Sequence, residues 1–489
     1  MKKVLGLLLV LTLAFALVGC KEKTTAGCEI DVNGVCVFAD GSIEWEKNAD
    51  GTLKTVQIGV DVATLATAIE TAWDTAYPDY AGKVDAVVYE ASDGEDKGVT
   101  GIVTMKGAAP DAVIIIGSGS VGREVNFLDI SNYFEDVIAE DVLQSAVNAI
   151  NSGDKVHYLP TVYDGMAFAW NKTMLEYLIA EGQLNITLAD ANNDNLPDAF
   201  DTWEEIFAIA DALTARMTYV YTKDGDAAPT TQTIYEIYPL CLDQEWSNYS
   251  AYTAGGFQIF EGGNYTQPGF NSDEFLAGLN FIKTFSTHKM SYQSDGVTKL
   301  AAASMGWRWD NFLKNEYPFG LVGTWMDVDT AENTYNSDFV FSAMPTYGVG
   351  ENKVQLTPIV KTKGFAVNAY TDVPGATVKV LQFLFSAAGM ATISENSSYL
   401  LALENGSDLI PTTLSANKVQ FAAALGTGFN EPAAKLPLGT VLAIEVLYNS
   451  GITAAQKDVY DGTLTPLAAQ TAIVATANTW ITNNNAPAA

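Results

Sequence analysis

Short apolar segments alternate with a helical pattern along the first part of the chain. Residues 54–60 form a compact strand candidate that leads through Asp61 into a helical stretch over residues 63–77. Further strand candidates span residues 84–89 and 111–116. Strands separated by helices form βαβ units, so this alternation predicts an α/β fold with a largely parallel sheet.

A glycine-rich loop over residues 117–122 follows the third strand candidate. It contains no lysine of the kind that a P-loop uses, and its glycines lack the full spacing of a dinucleotide-binding motif. We therefore interpret it as a backbone turn at the carboxyl end of a strand, which is where α/β sheets bind their ligands.

The amino-terminal residues have the pattern of a secretion signal. Lys2 and Lys3 precede an almost unbroken apolar stretch over residues 4–18, which is short for a membrane span and ends two residues before Cys20. This junction resembles the lipobox of bacterial lipoproteins, which implies a signal peptide of residues 1–19 and lipidation of Cys20. The alternative is an ordinary signal peptide or membrane anchor in which the cysteine is incidental. Because no later hydrophobic run has spanning length, we expect a soluble body that is extracytoplasmic and lipid-anchored to the cell membrane.

Residues 20–52 are polar and rich in turn formers, a composition typical of a tether. Within them, Cys28 and Cys36 flank Asp31 and Asn33, which favour a turn. Outside the cytoplasm the two thiols could close a small hairpin as a disulfide. Two unpaired thiols in a flexible tether are the alternative.

The composition excludes several classes of function. The chain has 489 residues and a formal net charge of −32, so it would repel nucleic acids. A hydrophobic content of 48% argues against disorder, and the length accommodates two or three domains. The two histidines, His157 and His288, lie in no metal-binding or hydrolase motif, so we expect no enzymatic activity and no catalytic cofactor.

Several passages of the chain, taken in order, match those of one protein family. Trp170, Asn171 and Lys172, for example, occupy the place of a Tyr-Asn-Lys sequence in that family's crossover segment. The other passages lie at residues 110–116, 127–131, 155–160, 201–205, 320–325, 344–345 and 362–369. By the order and spacing of these passages the chain resembles family-1 extracellular solute-binding proteins of ABC importers, and the maltose/maltodextrin-binding type is the nearest variety.

The resemblance implies an α/β, two-lobe periplasmic-binding-protein-like fold with a hinge between the lobes. The expected domains are lobe 1 over residues 53–163 and 362–417, and lobe 2 over residues 164–361 and 418–489. The chain is expected to cross between lobes near Tyr163, Lys361 and Asn417, and closure on a ligand would be a hinge motion about these crossings. The implied partners are a small-molecule carbohydrate and an ABC permease in the membrane, with the protein itself a monomer.

Candidate ligand-binding residues follow from the chemistry of sugars. Sugar C–H faces pack on aromatic rings, and sugar hydroxyls need paired donors and acceptors. By resemblance, Trp325 and Tyr235 match stacking aromatics, Asp164 and Asp61 match hydrogen-bonding acids, and Ser118 replaces an acid in the glycine-rich loop. The alternatives are core packing for the aromatics and solvated loop carboxylates for the acids.

Two aromatic platforms of the maltose-binding type are missing from the sequence. Ala443 stands where that type has a stacking tryptophan, and the loop after Ile116 has no aromatic at the matching place. A different glycan is compatible with this, as are sugar contacts from Trp246, Trp307 or Trp309. A non-sugar solute is the nearest alternative ligand. A surface adhesin, or a glycoside hydrolase with paired carboxylates, is an alternative of a different class.

An acidic segment, residues 190–201, has the spacing of a calcium-binding loop. The carbonyl of Leu196 would add a ligand, and the oxygen-bearing side chains at the matching positions are those of Asp190, Asn192, Asp194, Asp198 and Asp201. Asn195 replaces the usual glycine, but asparagine tolerates a left-handed turn. The segment predicts a structural Ca²⁺ site. The alternative is an acidic loop in which Asp201 only caps the next helix, with Glu204 completing a capping box.

Overall fold

The computed structural model of the chain describes residues 28–89, 101–102, 105–116, 124–151, 154–213, 215–259, 268–306, 308–348, 350–426 and 443–484. The strands in these residues are β1 (Cys28–Ile30), β2 (Cys36–Phe38), β3 (Val56–Val60), β4 (Val84–Val88), β5 (Ala112–Ile116), β6 (Leu159–Asn171), β7 (Met217–Tyr221), β8 (Thr230–Ile234), β9 (Phe319–Gly323), β10 (Phe339–Ser342), β11 (Thr346–Tyr347), β12 (Val354–Gln355), β13 (Val360–Val367) and β14 (Leu400–Leu401).

The α-helices in the same residues are α1 (Ala63–Ala76), α2 (Glu135–Glu140), α3 (Gln144–Ile150), α4 (Lys172–Ala180), α5 (Trp203–Ala212), α6 (Tyr249–Tyr252), α7 (Asp273–Phe285), α8 (Val328–Tyr335), α9 (Pro374–Leu384), α10 (Ala387–Glu395), α11 (Ala416–Leu425), α12 (Ala443–Asn449), α13 (Ile452–Asp461) and α14 (Pro466–Asn484). The α/β fold class expected from the sequence is therefore present. The first strands and helix lie where the apolar pattern places them, within two residues at each end.

One sheet runs through the molecule with the strand order β10-β6-β13-β5-β3-β4, and β9 and β14 pair with β6 off this path. Strand β3 is parallel to β4 and β5, as the βαβ pattern predicts. The other pairings are antiparallel, so the expectation of a largely parallel sheet holds only for those three strands. The reason is that β6 and β13 carry the chain between the lobes in opposite directions.

Strand β6 links the two lobes, and all thirteen of its residues are buried. From Leu159 to Gly165 it pairs with β13, whereas from Met166 onward it pairs with β9 and β10. Tyr163 and Lys361 lie at this change of partners, with Lys361 opposite Asp164. The side chain of Asp164 therefore sits at the hinge between the lobes.

A register shift in the pairing of β13 with β6 falls between Lys363 and Gly364. A Cβ atom at Gly364 would lie 2.5 Å from the carbonyl oxygen of Leu159, which is closer than any side chain tolerates. Glycine is needed here because the two crossing strands approach each other so closely.

Each lobe has its own hydrophobic core. The lobe 1 core includes Val56, Ile58, Leu65, Trp73, Phe134, Val162, Phe365 and Leu381. The lobe 2 core includes Met166, Phe168, Trp203, Phe207, Phe275, Phe319 and Tyr460. A third cluster at the hinge contains Tyr163, Ala167, Val322, Phe341, Val360, Leu400 and Phe421. The core assignment thus changes between Val162 and Met166, close to the crossing expected near Tyr163.

The segment from Cys28 to Leu53 packs against lobe 1, which differs from the expectation of a tether over residues 20–52. A disulfide joins Cys28 to Cys36 across the β1–β2 hairpin, with a Cα–Cα distance of 5.6 Å. Val35, Ile43 and Trp45 are buried in the lobe 1 core. These three apolar side chains are spread singly along a polar sequence and form no periodic pattern. The polar composition of the segment therefore suggested a tether.

Among the described residues, no single helix is both long and apolar enough to span a membrane. The bent pair of helices α9 and α10 would together be long and apolar enough to span a membrane, judged by length and composition alone. Its apolar side chains, including Val380, Leu384 and Met390, belong to the lobe 1 core.

Candidate functional site

A cleft of about 500 Å³ opens between the lobes beside the hinge. Lobe 1 forms one wall of the cleft with Val62, Thr64, residues 394–398 and Leu400. Lobe 2 forms the opposite wall with residues 324–329. Near the third expected crossing, the cleft is also lined by Ser415, Asn417, Lys418 and Phe421. Most of these side chains carry hydroxyl, amide or carboxylate groups. The cleft therefore offers many hydrogen-bonding partners around an aromatic ring.

Trp325 is the tryptophan that lines this cleft, and 38% of its surface is exposed. It follows β9 in a tight turn in which the amide of Met326 donates to the carbonyl of Gly323. Its ring lies against Gly323, where a Cβ atom would collide with it. Trp246 flanks the ring on another side. The ring is thus held in place but partly open, as a stacking platform requires.

The two candidate acids lie at the hinge beside the cleft, where they share one ammonium group. Lys363 Nζ lies 3.0 Å from Asp61 Oδ2 and 3.4 Å from Asp164 Oδ2. Tyr399 donates its hydroxyl to Asp61 Oδ2 at 2.7 Å, and Lys363 donates to the same hydroxyl at 2.6 Å. The structure therefore brings Asp61 and Asp164 together, but as parts of a buried ionic cluster.

Electrostatics keeps the lysine of this cluster charged. Burial lowers the pKa of Lys363, but the nearby carboxylates of Asp164 and Asp61 outweigh burial, so the net shift of the pKa is upward. Burial and the neighbouring Asp61 raise the pKa of Tyr399 well above its ordinary value. The cluster consequently contains an ammonium group and a neutral phenol at any physiological pH.

Tyr235 lies apart from Trp325. It follows β8 in lobe 2 and lines a separate cavity of about 260 Å³ together with Leu213, Ile234 and Tyr292. The resemblance implied a place in the sugar site, but Tyr235 is not among the residues that line the cleft with Trp325. Ser118 and Trp307 lie outside the described residues, as does Cys20.

Sequence reasoning missed two members of the hinge cluster, Lys363 and Tyr399. A signal was present for Lys363, because it stands directly before the apolar end of β13 (residues 364–367) and a buried lysine needs a carboxylate partner. Tyr399 carried no such signal, since a tyrosine after a run of serines is equally compatible with a surface loop. The polar run that precedes it, residues 394–398, lines the cleft and was also missed.

The acidic loop over residues 190–201 folds around its first aspartate. Asp190 accepts hydrogen bonds from the amides of Asn193 at 2.7 Å and Asn195 at 3.0 Å. Asn195 has φ +66°, the left-handed conformation that the sequence required at this position. Asp194 accepts from the amide of Leu196 at 2.9 Å. These contacts wind the loop around Asp190, but among the described residues no three carboxylates of the loop have oxygen atoms within 4.8 Å of one another.

The helix that follows this loop, α5, is not capped by Asp201, the residue that the alternative interpretation of the sequence assigned to the cap. The N-cap of α5 is Thr202, whose side chain accepts from the amide of Glu205, and Glu205 closes the capping box. Asp201 is therefore not the cap. Burial raises its pKa, and the charge of Asp194 adds to the shift. A nearby cation would favour the charged form that burial and Asp194 disfavour at this carboxyl group.

Comparison with known proteins gives the family. The profile of the family described as "Bacterial extracellular solute-binding protein" matches residues 81–423, more than half of the chain. No individually curated protein matches the sequence.

Several solved structures are similar in fold. A cyclo/maltodextrin-binding protein complexed with maltotetraose has a TM-score of 0.59 and 17% identity, covering 90% of this chain and 99% of that chain. A maltotriose-binding protein of Thermus thermophilus has a TM-score of 0.57 and 15% identity, covering 87% and 100% of the two chains. The maltose-binding protein of Listeria monocytogenes in complex with maltose has a TM-score of 0.61 and 16% identity, covering 88% and 99%. These structures establish the two-lobe fold, and the chain belongs to the family of bacterial extracellular solute-binding proteins.

Proposed function

We propose that the protein captures a sugar or oligosaccharide between its lobes and delivers it to the membrane permease of an ABC importer. The observation that carries this proposal is the half-open ring of Trp325, set among polar side chains in the interlobe cleft. A pyranose ring has an apolar face and a rim of hydroxyls, so it needs an aromatic surface with donors and acceptors around it.

The polar groups of the cleft are already ordered by the protein. Lys418 donates to the carbonyl of Ser397 at 2.8 Å, and Asn417 donates to Asp329 at 2.5 Å. Side chains that are held before binding lose little conformational entropy when a ligand arrives. Such preorganisation favours a ligand with many hydroxyls, because each hydrogen bond is then formed at low entropic cost.

The hinge provides the motion that capture requires. Strands β6 and β13 connect the lobes, and the cleft walls from the two lobes meet beside these strands. Rotation about these two crossing strands would close the lobes on a ligand without disturbing either core. Similar structures hold maltotetraose, maltotriose or maltose, which supports a glycan as the ligand of this protein.

A binding role without catalysis is part of the same proposal. The family consists of solute-binding proteins, which work outside the cytoplasm and are named for binding rather than for turnover. We infer that Cys20 is lipidated after removal of residues 1–19, which would keep the protein at the membrane beside its permease.

We further propose a structural Ca²⁺ ion in the acidic loop. The residues that would hold it are Asp190, Asn192, Asp194, Asp198 and Asp201, with the carbonyl of Leu196. The left-handed conformation of Asn195 and the raised pKa of Asp201 fit this role. The ion would neutralise a strongly acidic turn at the start of α5.

A thermal-shift screen tests the proposed ligand class. The purified protein would be melted with maltose, maltotriose, other neutral oligosaccharides, amino acids, peptides and polyamines. A ligand at 100 times its Kd stabilises the folded state by about 2.7 kcal/mol, which a melting curve detects easily. Stabilisation by oligosaccharides is the expected result, and stabilisation by a peptide or polyamine alone would contradict the proposal.

A further inference from the structure

The hinge cluster joins four separate segments of the chain through one lysine. Asp61 follows β3 in lobe 1, Asp164 lies in β6 where the strand passes between lobes, and Tyr399 precedes β14. Lys363 of β13 contacts all three and is only 6% exposed. No sugar is needed to explain these contacts, because the protein supplies both the charges and the countercharge.

The charges of the cluster nearly cancel. Two carboxylates face the ammonium of Lys363, and Lys361 Nζ lies 3.9 Å from Asp164 Oδ1. Lys361 is 32% exposed, so water screens it more than it screens Lys363. Among the described residues, the titratable groups that face Lys363 are those of Asp61, Asp164 and Tyr399. Removing Lys363 would leave two buried carboxylates with one partly screened cation.

The cluster lies directly beside the ligand cleft. The chain neighbours of its members line that cleft, namely Val62 next to Asp61, and Ser398 and Leu400 on either side of Tyr399. Gly165, next to Asp164, donates its amide to Thr324, which lines the cleft beside Trp325. The charge of the cluster therefore acts on whatever the cleft holds.

Each carboxylate also has one oxygen that Lys363 does not engage, and that of Asp164 faces Lys361 Nζ at 3.9 Å. Lys363 engages the Oδ2 atoms, whereas the Oδ1 atoms of Asp61 and Asp164 are buried and accept no hydrogen bond from the described residues. Buried carboxylate oxygens without a hydrogen bond are costly, so they are suited to accept hydrogen bonds from hydroxyl groups when the lobes move. Two fixed hydrogen-bond acceptors, in a cluster whose charges nearly cancel, favour an uncharged ligand with several hydroxyl groups.

We propose that Lys363 is a specificity-determining, positioning residue of the ligand site, which makes the hinge side of the cleft select an uncharged, hydroxyl-bearing ligand over a cationic one. This inference rests on the proposed function. Lys363 would act through Asp61 and Asp164 by orienting their carboxylates and balancing their charge. Without it, the same acids would attract a cation and penalise a neutral ligand.

The test compares two trisaccharides of similar size by titration calorimetry, and it follows how the ratio of their Kd values changes from one variant to the next. Maltotriose is the neutral probe, and a glucosamine trimer below the pKa of its amines is the cationic probe. In Lys363→Met the binding of maltotriose is expected to weaken by about thirty-fold or more, as for loss of one partner of a buried charge pair. The glucosamine trimer is expected to lose much less, so the ratio of the two Kd values shifts by about tenfold or more.

Two further variants, with a third as their control, separate the effect of charge from that of packing. Lys363→Met combined with Asp61→Asn removes the uncompensated carboxylate and is expected to restore most of the preference for maltotriose. Asp61→Asn alone keeps Lys363 and shifts the ratio in the opposite direction, so the inference stays testable even if Lys363→Met does not fold. Lys361→Met is the matched control, because Lys361 lies on the same strand but is more exposed. It is expected to change the ratio of the two Kd values less than Lys363→Met does.

The outcomes are distinguishable. Equal weakening of both trimers in Lys363→Met, or an unchanged Kd ratio in Asp61→Asn, would show that Lys363 serves packing alone and would overturn this inference while leaving the proposed function intact. Failure of the unmodified protein to bind either trimer, or any oligosaccharide of the thermal-shift screen, would overturn both.

Discussion

The indole rings of Trp246 and Trp325 meet at an interplanar angle of 60°, with their centroids 5.8 Å apart. Trp246 precedes α6, and Trp325 follows β9, so two distant segments of lobe 2 form this pair. The contact supports Trp325 from one side and leaves part of its surface in the cleft. A supported ring of this kind loses little freedom when a sugar stacks on it.

Trp325→Ala should weaken glycan binding with little loss of stability. An aromatic anchor at the centre of an interface commonly contributes about 2 kcal/mol, or about thirty-fold in Kd. The ring is partly exposed without ligand, so its removal leaves no large cavity. Titration with the best oligosaccharide and a melting curve on the same variant measure the two effects.

Trp203→Ala is the matched control for that experiment. Trp203 is 1% exposed in the lobe 2 core, and truncating a core tryptophan costs about 3–5 kcal/mol of stability. If Trp325→Ala destabilised the protein as strongly as Trp203→Ala while the remaining folded molecules bound normally, Trp325 would be a core residue.

Calcium is expected to stabilise the protein through the loop over residues 190–201. With a Kd of about 10⁻⁴–10⁻³ M, typical of extracellular modules, 10 mM Ca²⁺ would add roughly 1–3 kcal/mol. The melting temperature should rise with Ca²⁺ and fall with chelator, whereas Asp190→Ala should abolish the response. Asp295→Ala, which removes an aspartate from a similar turn elsewhere, should keep it. Identical melting curves in calcium and chelator would contradict the site.

Glu236 should make the stability of lobe 2 depend on pH. It is 1% exposed, and burial raises its pKa from 4.5 to about 7, although Arg308 opposes the shift. A carboxyl group whose pKa is raised on folding contributes stability that is complete below its unfolded pKa and is lost as pH rises through the folded pKa. The expected loss between pH 4 and pH 8 is roughly 3 kcal/mol.

Glu236→Gln removes this titration and keeps the shape of the side chain. The urea midpoint of the variant should therefore fall less between pH 5 and pH 8 than that of the unmodified protein. Glu404→Gln, at an exposed position, serves as the control. Parallel pH profiles for the unmodified protein and Glu236→Gln would show that Glu236 does not titrate in this range.

Cys20→Ala should block lipidation and maturation. The precursor would keep residues 1–19 because lipobox processing depends on the cysteine, and it would no longer partition into detergent as a mature lipoprotein. Mass spectrometry of the amino terminus and phase partitioning measure both effects. Normal partitioning of Cys20→Ala would show that the anchor lies elsewhere.

Local pattern was sufficient to predict the first elements of the fold. Apolar runs placed β3, β4, β5 and α1, because burial of a strand or helix face needs neighbouring apolar residues at a fixed period. The same argument failed at Val35, Ile43 and Trp45, which reach the lobe 1 core singly from turns. Periodicity cannot detect side chains that are buried one at a time.

The sequence by itself determined which residue types the ligand site could use, and it identified Trp325 and the acids Asp61 and Asp164 as candidates. Only the tertiary structure decided their arrangement. Tyr235 was a candidate by the same resemblance, yet it lines another cavity, whereas Lys363 was not a candidate, yet it joins the two acids. The physical reason is that Asp61 and Lys363 are separated by 302 residues and meet only because crossing strands from two lobes pair at the hinge.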